Sequence, residues 1–232
     1  MDKRLETIYS FIEDGLGVID VGTDHGYLPA ALAQRGYKGN IYASDIKRGP
    51  LDAAIRTADK ADVAERIGFL LSDGLDACPP EAVDTIVVAG MGGDMICRIL
   101  DRAEWCMDNR YKLLLQPMTK AEVLRYWLVN NEFEIYREEL VEDGGAIYQV
   151  LVARLGTPAK LCDAELYTGS FPLIQQSPLF TQHIEKQIAR FEKACAGLQE
   201  SRSSEKQARE EVYRSVLQQL REEKDAYSKR NI

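Results

Sequence analysis

The feature that most constrains the fold of this 232-residue chain is a regular alternation of short apolar runs with longer amphipathic stretches. The first five apolar runs span residues 17–21, 41–44, 68–71, 85–89 and 112–115. The amphipathic, helix-like stretches span residues 3–14, 28–35, 51–61, 94–103 and 120–131. Strands that alternate with helices at this spacing form right-handed βαβ units around a parallel sheet. We therefore predict an α/β fold with helices on both faces of the sheet.

Two further apolar runs, 134–140 and 146–153, are separated only by residues 141–145. This glycine-containing link is too short to hold a crossover helix, so it predicts an antiparallel hairpin. Five parallel strands and an edge hairpin together make a seven-stranded, Rossmann-like, doubly wound sheet.

The character of the chain changes after residue 155. Residues 156–178 contain three of the eight prolines and no clear period, which is typical of a linker. Residues 179–232 have apolar side chains at steps of three or four, interrupted by serines within 199–204. This pattern predicts an antiparallel helical hairpin of coiled-coil type. The hairpin is either a dimerisation or stabilising arm, or an arm that grips a substrate. The predicted divisions are thus a 1–155 domain, a 156–178 linker and a 179–232 hairpin.

Charge and composition exclude several classes of protein. The net charge is −8. The residues before Gly156 include 17 basic and 26 acidic side chains, and those from Gly156 onward include 12 basic and 11 acidic ones. This acidity argues mildly against a nucleic-acid partner but leaves room for a local basic patch. The chain has no run of eighteen apolar residues, so no membrane span is expected. Five scattered cysteines and two histidines favour a reduced, cytoplasmic protein without a metal site.

A glycine-containing loop, Asp20-Val21-Gly22-Thr23-Asp24-His25-Gly26, follows the first predicted strand. Open α/β sheets bind ligands at such positions, beyond the carboxyl ends of their strands. The dinucleotide fingerprint has a second glycine where the backbone approaches a pyrophosphate, and here Asp24 takes that place. The carboxylates of Asp20 and Asp24 would repel a phosphate group. The loop therefore favours S-adenosylmethionine, which has a sulfonium, an ammonium and no phosphate, over a nicotinamide dinucleotide.

Later strand ends add candidate binding residues. Asp45 ends the second strand, where an acidic residue typically accepts hydrogen bonds from ribose hydroxyls; a turn aspartate is the alternative. Asp73-Gly74 follow the third strand, where the carboxylate would accept from an adenine amine or the pair would form a simple turn. Three glycines within 89–93 indicate backbone close to a ligand, and Gln116-Pro117 follow the fifth strand.

Taken together, these motifs resemble the bacterial tRNA (adenine-22-N1)-methyltransferases. The matching segments are 3–5, 20–29 (DVGTDHGYLP), 49–50, 73–75, 89–93 (AGMGG), 114–117 (LLQP) and 169–178. The resemblance spans nearly the whole chain. It implies a Rossmann-like methyltransferase domain, a C-terminal coiled-coil hairpin that helps hold tRNA, and S-adenosylmethionine as methyl donor to an adenine N1.

The resemblance also implies roles for individual residues. Asp24 is the expected catalytic residue, facing the target base. The expected cofactor-binding residues are Asp20, Gly22, Thr23, His25, Gly26, Asp45, Ile46, Asp73, Gly74, Ala89, Gly90 and Met91. The expected substrate-binding residues are Arg4, Tyr27, Gly92, Gly93, Gln116 and Pro117. His25 has a simpler alternative role, capping or packing under the first helix of the sheet. The oligomeric state is left open, with a monomer as the working expectation.

Three positions depart from the family pattern. Gly26 and Asp45 stand where the family usually has Ala and Glu, and both changes preserve the required chemistry. Met118 stands where the family usually has Asn. If that Asn contacts the target base in the family, this chain is expected to act on a different substrate. One alternative is therefore a methyltransferase for another RNA or a small molecule, with the hairpin used for self-association. A non-catalytic RNA- or cofactor-binding protein is the other.

Overall fold

The computed structural model describes residues 1–198 and 204–230. Its strands are β1 (Gly17–Val21), β2 (Asn40–Asp45), β3 (Ile67–Leu71), β4 (Thr85–Gly92), β5 (Lys112–Thr119), β6 (Phe133–Asp143) and β7 (Ala146–Leu155). They form one sheet in the order β3-β2-β1-β4-β5-β7-β6. Neighbours from β3 to β5 are parallel, and β7 runs antiparallel to β5. The predicted seven-stranded Rossmann-like sheet is confirmed.

Five helices accompany the first five strands. They are α1 (Lys3–Ser10), α2 (Tyr27–Gln34), α3 (Arg48–Lys60), α4 (Gly93–Arg102) and α5 (Ala121–Asn130). Alternate side chains of each strand enter different cores, as the period of two in a strand requires. Val18 packs in the core that contains residues of α1, α2 and α3. Ile19 and Val21 pack in the core that contains residues of α4 and α5. The sheet is therefore covered on both faces.

The chain order places a topological switch point between β1 and β4, which lie side by side in the sheet. The connections from β1 through β3 run to one side of β1, and the connection to β4 runs to the other. Doubly wound sheets bind ligands in the crevice that opens at such a point, beyond the carboxyl ends of the strands. The glycine loop after β1 and the Ala89–Gly93 segment at the end of β4 both lie there.

Helix α1 is shorter than the sequence pattern predicts. It begins as expected, because the Asp2 carboxylate accepts a hydrogen bond from the Leu5 backbone N–H at 2.9 Å. It ends at Ser10 rather than Asp14. Tertiary hydrogen bonds compete with further helix: the Phe11 carbonyl accepts from Lys112 Nζ at 2.9 Å, and the Leu16 N–H donates to the Asp84 carboxylate at 2.8 Å. These bonds direct residues 11–16 toward the start of β1.

The chain divides into two compact units, residues 1–137 with 141–159, and residues 138–140 with 160–232. The second unit begins inside the predicted linker. Residues 156–178 contain two short helices, α6 (Asp163–Thr168) and α7 (Phe171–Ile174). Glu165 caps the first of them by accepting from the Cys162 N–H at 3.0 Å. Pro172 lies in the first turn of the second, where a missing N–H costs nothing.

Two long helices follow, α8 (Phe180–Leu198) and α9 (Ser204–Arg230). Ion pairs join Glu192 of α8 to Arg221 of α9, and Glu185 of α8 to Lys224 of α9. A residue earlier in α8 thus pairs with a residue later in α9. The two helices are therefore antiparallel, as predicted for a hairpin. Residues 199–203, in which the turn was predicted, lie outside the described residues. In the part of the chain described, no helix is both long and apolar enough to span a membrane.

Candidate functional site

The loop between β1 and α2 is held open by backbone geometry. The N–H groups of Gly22 and Thr23 both donate to the Ser44 carbonyl of β2, at 2.8 and 2.9 Å. Gly22 and Gly26 have φ angles of +72° and +67°, which favour glycine. Asp24 adopts φ +49°, an uncommon conformation for a residue with a side chain. The loop therefore turns its Asp24 side chain outward, and that side chain is 71% exposed.

The loop forms one wall of a cavity that we call the Asp24 cavity. It is lined by Asp2, Arg4, Leu5, Asp20, Gly22, Thr23, Asp24, His25, Tyr27, Leu28, Ala89, Gly90 and Gln116. Ten of these residues were predicted site residues. Asp2, Leu5 and Leu28 were not predicted, although Asp2 had a signal as the capping residue before the first helix. The Asp24 cavity thus brings together the first helix, the β1 loop and the ends of β4 and β5.

Asp20 gives the Asp24 cavity a buried carboxyl group. Asp20 is only 6% exposed, and its Oδ2 accepts a hydrogen bond from the Thr23 hydroxyl at 2.7 Å. Burial raises the pKa of Asp20 to about 6, the Thr23 hydrogen bond opposes this rise, and the Asp45 charge adds to it. A positively charged ligand group would relieve the cost of the buried anion. The position therefore suits an ammonium group.

A hydrogen-bond network around Gln116 connects the other walls of the Asp24 cavity. Gln116 is fully buried, and its Oε1 accepts from the Gly90 N–H and from Arg4 Nη1, both at 3.2 Å. Arg4 also pairs with Asp2 at 2.6 Å and lies 4.8 Å above the Tyr148 ring of β7. Gln116 therefore has an indirect role: its hydrogen bonds hold the Gly90 turn and the Arg4 guanidinium in position.

Met118 takes part in the same network. Its Sδ accepts from Arg4 Nη1 at 3.3 Å and from Gln116 Nε2 at 3.5 Å, and its side chain is 44% exposed. The residue that departs from the family pattern thus contacts two predicted substrate-binding residues.

A second cavity, which we call the Asp45 cavity, has a volume of about 360 Å³. It is lined by Val21, Gly22, Asp45, Ile46, Ser72, Asp73, Gly74, Met91, Gly92, Met95 and Ile99. Gly22 lines both cavities, and a Cβ on it would lie 2.0 Å from Met91 Cε. A side chain at residue 22 would therefore occupy the boundary between the two cavities.

The two carboxylates of the Asp45 cavity have different partners. Asp45 Oδ1 accepts from the Lys47 backbone N–H at 2.9 Å, which is the turn role considered from the sequence. This hydrogen bond orients the carboxylate without excluding a ribose. Asp73 pairs with Arg102 at the end of α4, and Arg102 also pairs with Asp76. Among the described lining residues none is basic, so the cavity suits an uncharged nucleoside rather than a phosphate.

Three predicted site residues line neither cavity and instead have packing roles. A Cβ on Gly26 would lie 2.7 Å from Ala54 Cβ, so this glycine permits α2 to approach α3. A Cβ on Gly93 would lie 2.2 Å from the Lys120 carbonyl oxygen. Pro117 is buried within β5. Gly92, predicted to bind substrate, lines the Asp45 cavity instead.

Sequence reasoning also missed the wall that α4 contributes. Met95 and Ile99 line the Asp45 cavity, and their i, i+4 spacing on an amphipathic helix was the available signal. No group of three or more His, Cys, Asp or Glu side chains in the described ranges could hold a metal ion.

The sheet order and the paired cavities at the carboxyl ends of the strands define a Rossmann-like methyltransferase. In agreement, a family model for a methyltransferase domain matches residues 1–151. The tRNA (adenine(22)-N(1))-methyltransferase of Bacillus subtilis is 33% identical over 156 residues, which are 67% of this chain and 66% of that protein. The chain belongs to the bacterial tRNA (adenine-22-N1)-methyltransferase family.

Solved structures extend the similarity beyond the first domain. A Streptococcus pneumoniae protein provisionally assigned as a tRNA (m1A22) methyltransferase, in complex with S-adenosylmethionine, is 32% identical with a TM-score of 0.78. The match covers 94% of this chain and 99% of that one. The B. subtilis m1A22 tRNA methyltransferase structure has a TM-score of 0.83 at 25% identity, over 96% and 97% of the two chains.

Proposed function

We propose that this protein transfers a methyl group from S-adenosylmethionine to N1 of an adenine in tRNA, at position 22 as in the B. subtilis relative. The observation that best supports this activity is the meeting of two cavities at Gly22. One has two carboxylates and no basic residue among the described residues that line it, which suits a nucleoside, and the other has the acidic groups that suit a cationic reaction centre. The tRNA-specific relatives favour this activity over a small-molecule substrate or a non-catalytic role.

The residues present fit the proposed cofactor. Both Asp45 and Asp73 line the Asp45 cavity, and we assign Asp45 to the ribose hydroxyls and Asp73 to the exocyclic amine of the adenine. We assign Asp20 to the ammonium group, because its charge would offset the cost of burying the carboxylate. Gly22 leaves room between the two cavities because it has no side chain. When bound, S-adenosylmethionine supplies an electrophilic methyl group on a sulfonium.

Neutral adenine already has a lone pair on N1, so no residue has to remove a proton before attack. Catalysis then depends on positioning and on stabilising the positive charge that the purine gains. Asp24 suits that role, since its exposed carboxylate at the mouth of the Asp24 cavity can accept from the exocyclic amine of the target base. The negative charge of Asp24 becomes more favourable as the base becomes cationic.

Aromatic side chains beside Asp24 suit a flipped-out base. The rings of His25 and Tyr27 are stacked, with centroids 5.5 Å apart, and Tyr27 is 51% exposed. Exposed aromatic rings stack on unpaired bases, which contributes about 1–3 kcal/mol per base. We assign Tyr27 to the target base or its neighbour, and Arg4 and Gln116 to shaping the opposite wall.

The C-terminal hairpin is proposed to contact tRNA, in a monomeric cytoplasmic protein. The segment from Gly156 onward has 12 basic and 11 acidic residues, whereas the preceding residues have an excess of nine acidic residues. The hairpin therefore repels a phosphate backbone less than the catalytic domain does.

The test is to map the methylated nucleotide. Purified protein, S-adenosylmethionine and unmodified tRNA transcripts are incubated, and the product is analysed by nuclease digestion and mass spectrometry. The expected product is N1-methyladenine at position 22, and a transcript with guanine at that position should not be methylated. Methylation at another nucleotide, or none on tRNA despite cofactor binding, would contradict the proposed substrate.

A further inference from the structure

We propose that Arg102 is a positioning residue for the adenine of the cofactor. It holds the Asp73 carboxylate in the orientation that selects the exocyclic amine. This inference rests on the proposed function, because it assigns a residue to the site at which S-adenosylmethionine would bind. Arg102 lies outside the cavity lining and was not among the residues that the sequence pointed to.

Helix α4 supplies both the wall of the Asp45 cavity and the guanidinium behind it. Met95 and Ile99 line the cavity, and Arg102 follows on the same helical face, at positions i, i+4 and i+7. Nη1 of Arg102 donates to Asp73 Oδ2, and Nη2 donates to Asp76 Oδ2. One oxygen of Asp73 is thus held by Arg102, which leaves Oδ1 to accept from a ligand.

The backbone of the Asp73 loop is fixed by other contacts. The Ser72 hydroxyl donates to the Gly74 carbonyl at 3.1 Å and accepts from the Ala77 N–H at 3.0 Å. Gly74 has φ +62°, and a Cβ on it would lie 3.1 Å from Ile99 Cγ2. Loss of the Arg102 side chain should therefore free the Asp73 carboxylate while the loop keeps its path.

The geometry favours arginine over lysine. The planar guanidinium presents donors in a fixed fork, so it can hold two carboxylates at once in a defined orientation. Arg102, Asp73 and Asp76 are all about half exposed, with side-chain exposures of 50%, 50% and 48%. Ion pairs this exposed contribute little to stability, which leaves orientation of Asp73 as the main consequence of the pair.

The experiment compares two ligands that differ only at the C6 and N1 edge of the purine. S-adenosylhomocysteine has the C6 amine and an unprotonated N1, whereas S-inosylhomocysteine has a C6 carbonyl, an N1–H and the same net charge. Calorimetry on the full-length protein should give roughly tenfold tighter binding of the adenosyl ligand to the wild type, because a hydrogen bond to a charged acceptor is lost with the inosyl ligand. Arg102→Ala should reduce this ratio to about twofold, and Arg102→Lys should fall in between.

Asp76→Ala separates orientation from a simple field effect. It removes a negative charge and one anchor of Arg102 without altering the cavity lining, whereas Arg102→Ala removes a positive charge. Orientation predicts that both variants lose discrimination between the ligands. A field effect predicts opposite changes, because the two variants alter the potential at Asp73 in opposite directions. Arg98→Ala is the matched control, since this exposed arginine of α4 bonds to the Asp94 carbonyl instead.

Each outcome bears on a different claim. If Arg102→Ala keeps the wild-type ratio of affinities, or if Arg98→Ala loses it equally, the positioning role is wrong. If the wild type binds neither ligand, the proposed function fails first. Thermal unfolding of each variant should match the wild type, and a kinetic assay should show a raised KM for S-adenosylmethionine with kcat changed much less.

Discussion

Replacement of Asp20 by Asn tests whether the site stores an unfavourable charge that the cofactor relieves. Burial raises the pKa of Asp20 from 3.8 to about 6, and a difference of this size corresponds to about 3 kcal/mol at pH values above both. Asn has nearly the same shape, and its amide oxygen can still accept from the Thr23 hydroxyl, now 2.7 Å from the carboxylate. Asp20→Asn should therefore stabilise the ligand-free protein at neutral pH by up to about 3 kcal/mol.

The direction of the pH dependence follows from the raised pKa. Between pH 4 and 6 the folded protein holds a proton on Asp20 that the unfolded chain has lost. The contribution of Asp20 to the free energy of unfolding is therefore fully present below pH 4 and is lost as the pH rises through about 6. Asp20→Asn should abolish this decline, so the two proteins should converge at low pH and diverge toward pH 7.5.

The assay is urea unfolding of the ligand-free protein at several pH values, followed by tryptophan fluorescence. Trp105 and Trp127 pack against the same core as β1, so they report on the unit that contains Asp20. Asp59→Asn, at an exposed position of α3, is the matched control for loss of one carboxylate. A variant less stable than the wild type at pH 7.5, or one with an unchanged pH profile, would refute the reasoning.

Cofactor binding should change in the opposite sense. If Asp20 pairs with the ammonium group, it must be ionised in the complex. The affinity of the wild type for S-adenosylhomocysteine should then fall about tenfold for each pH unit below 6, because protons compete with the ligand. Asp20→Asn should bind weakly with little dependence on pH over this range. Equal affinity of the variant and the wild type would remove Asp20 from the cofactor site.

Two other substitutions test catalysis and packing separately. Asp24→Ala should lower kcat roughly a hundredfold by removing a charge directed at the target base, with the Kd for S-adenosylmethionine within about twofold; equal losses in kinetics and calorimetry would contradict that role. Gly93→Ala should destabilise the fold by about 2–4 kcal/mol in urea unfolding, because its Cβ would lie 2.2 Å from the Lys120 carbonyl oxygen. Gly197→Ala in α8, whose Cβ meets no atom within 4 Å, should be neutral or slightly stabilising, and similar losses for both glycines would refute the packing argument.

The strands and their order along the chain were predictable because the evidence for them is local in sequence. A fully buried strand such as β1 requires a nearly continuous apolar run, here interrupted only by Asp20, and the residues that follow it reach the carboxyl edge of the sheet. The loop after β1 was therefore placed at the site from sequence alone. The convergence of Asp20, Asp24, Ala89 and Gln116 on one cavity follows from the parallel order of β1, β4 and β5.

What could not be predicted depends on contacts between residues distant in sequence. The end of α1 at Ser10 reflects a hydrogen bond from Lys112 to the Phe11 carbonyl, and no pattern within residues 3–14 records it. The pair between Asp73 and Arg102 joins residues 29 positions apart. Helix α7 is only four residues long and begins beside a proline, so it has no detectable period.

The acidity of the catalytic half, which argued mildly against an RNA partner, acquires a local explanation in the site. Asp20, Asp24, Asp45 and Asp73 all line the two cavities, and each is the residue that we propose for a positive charge or a hydrogen-bond donor of the cofactor or of the methylated base. A phosphate backbone is repelled by the same groups. Selectivity for a cationic cofactor and affinity for RNA therefore place opposite demands on one edge of the sheet. The conflict is resolved if that edge admits only the base, while phosphates are held by surfaces with a more balanced charge, such as the C-terminal helices.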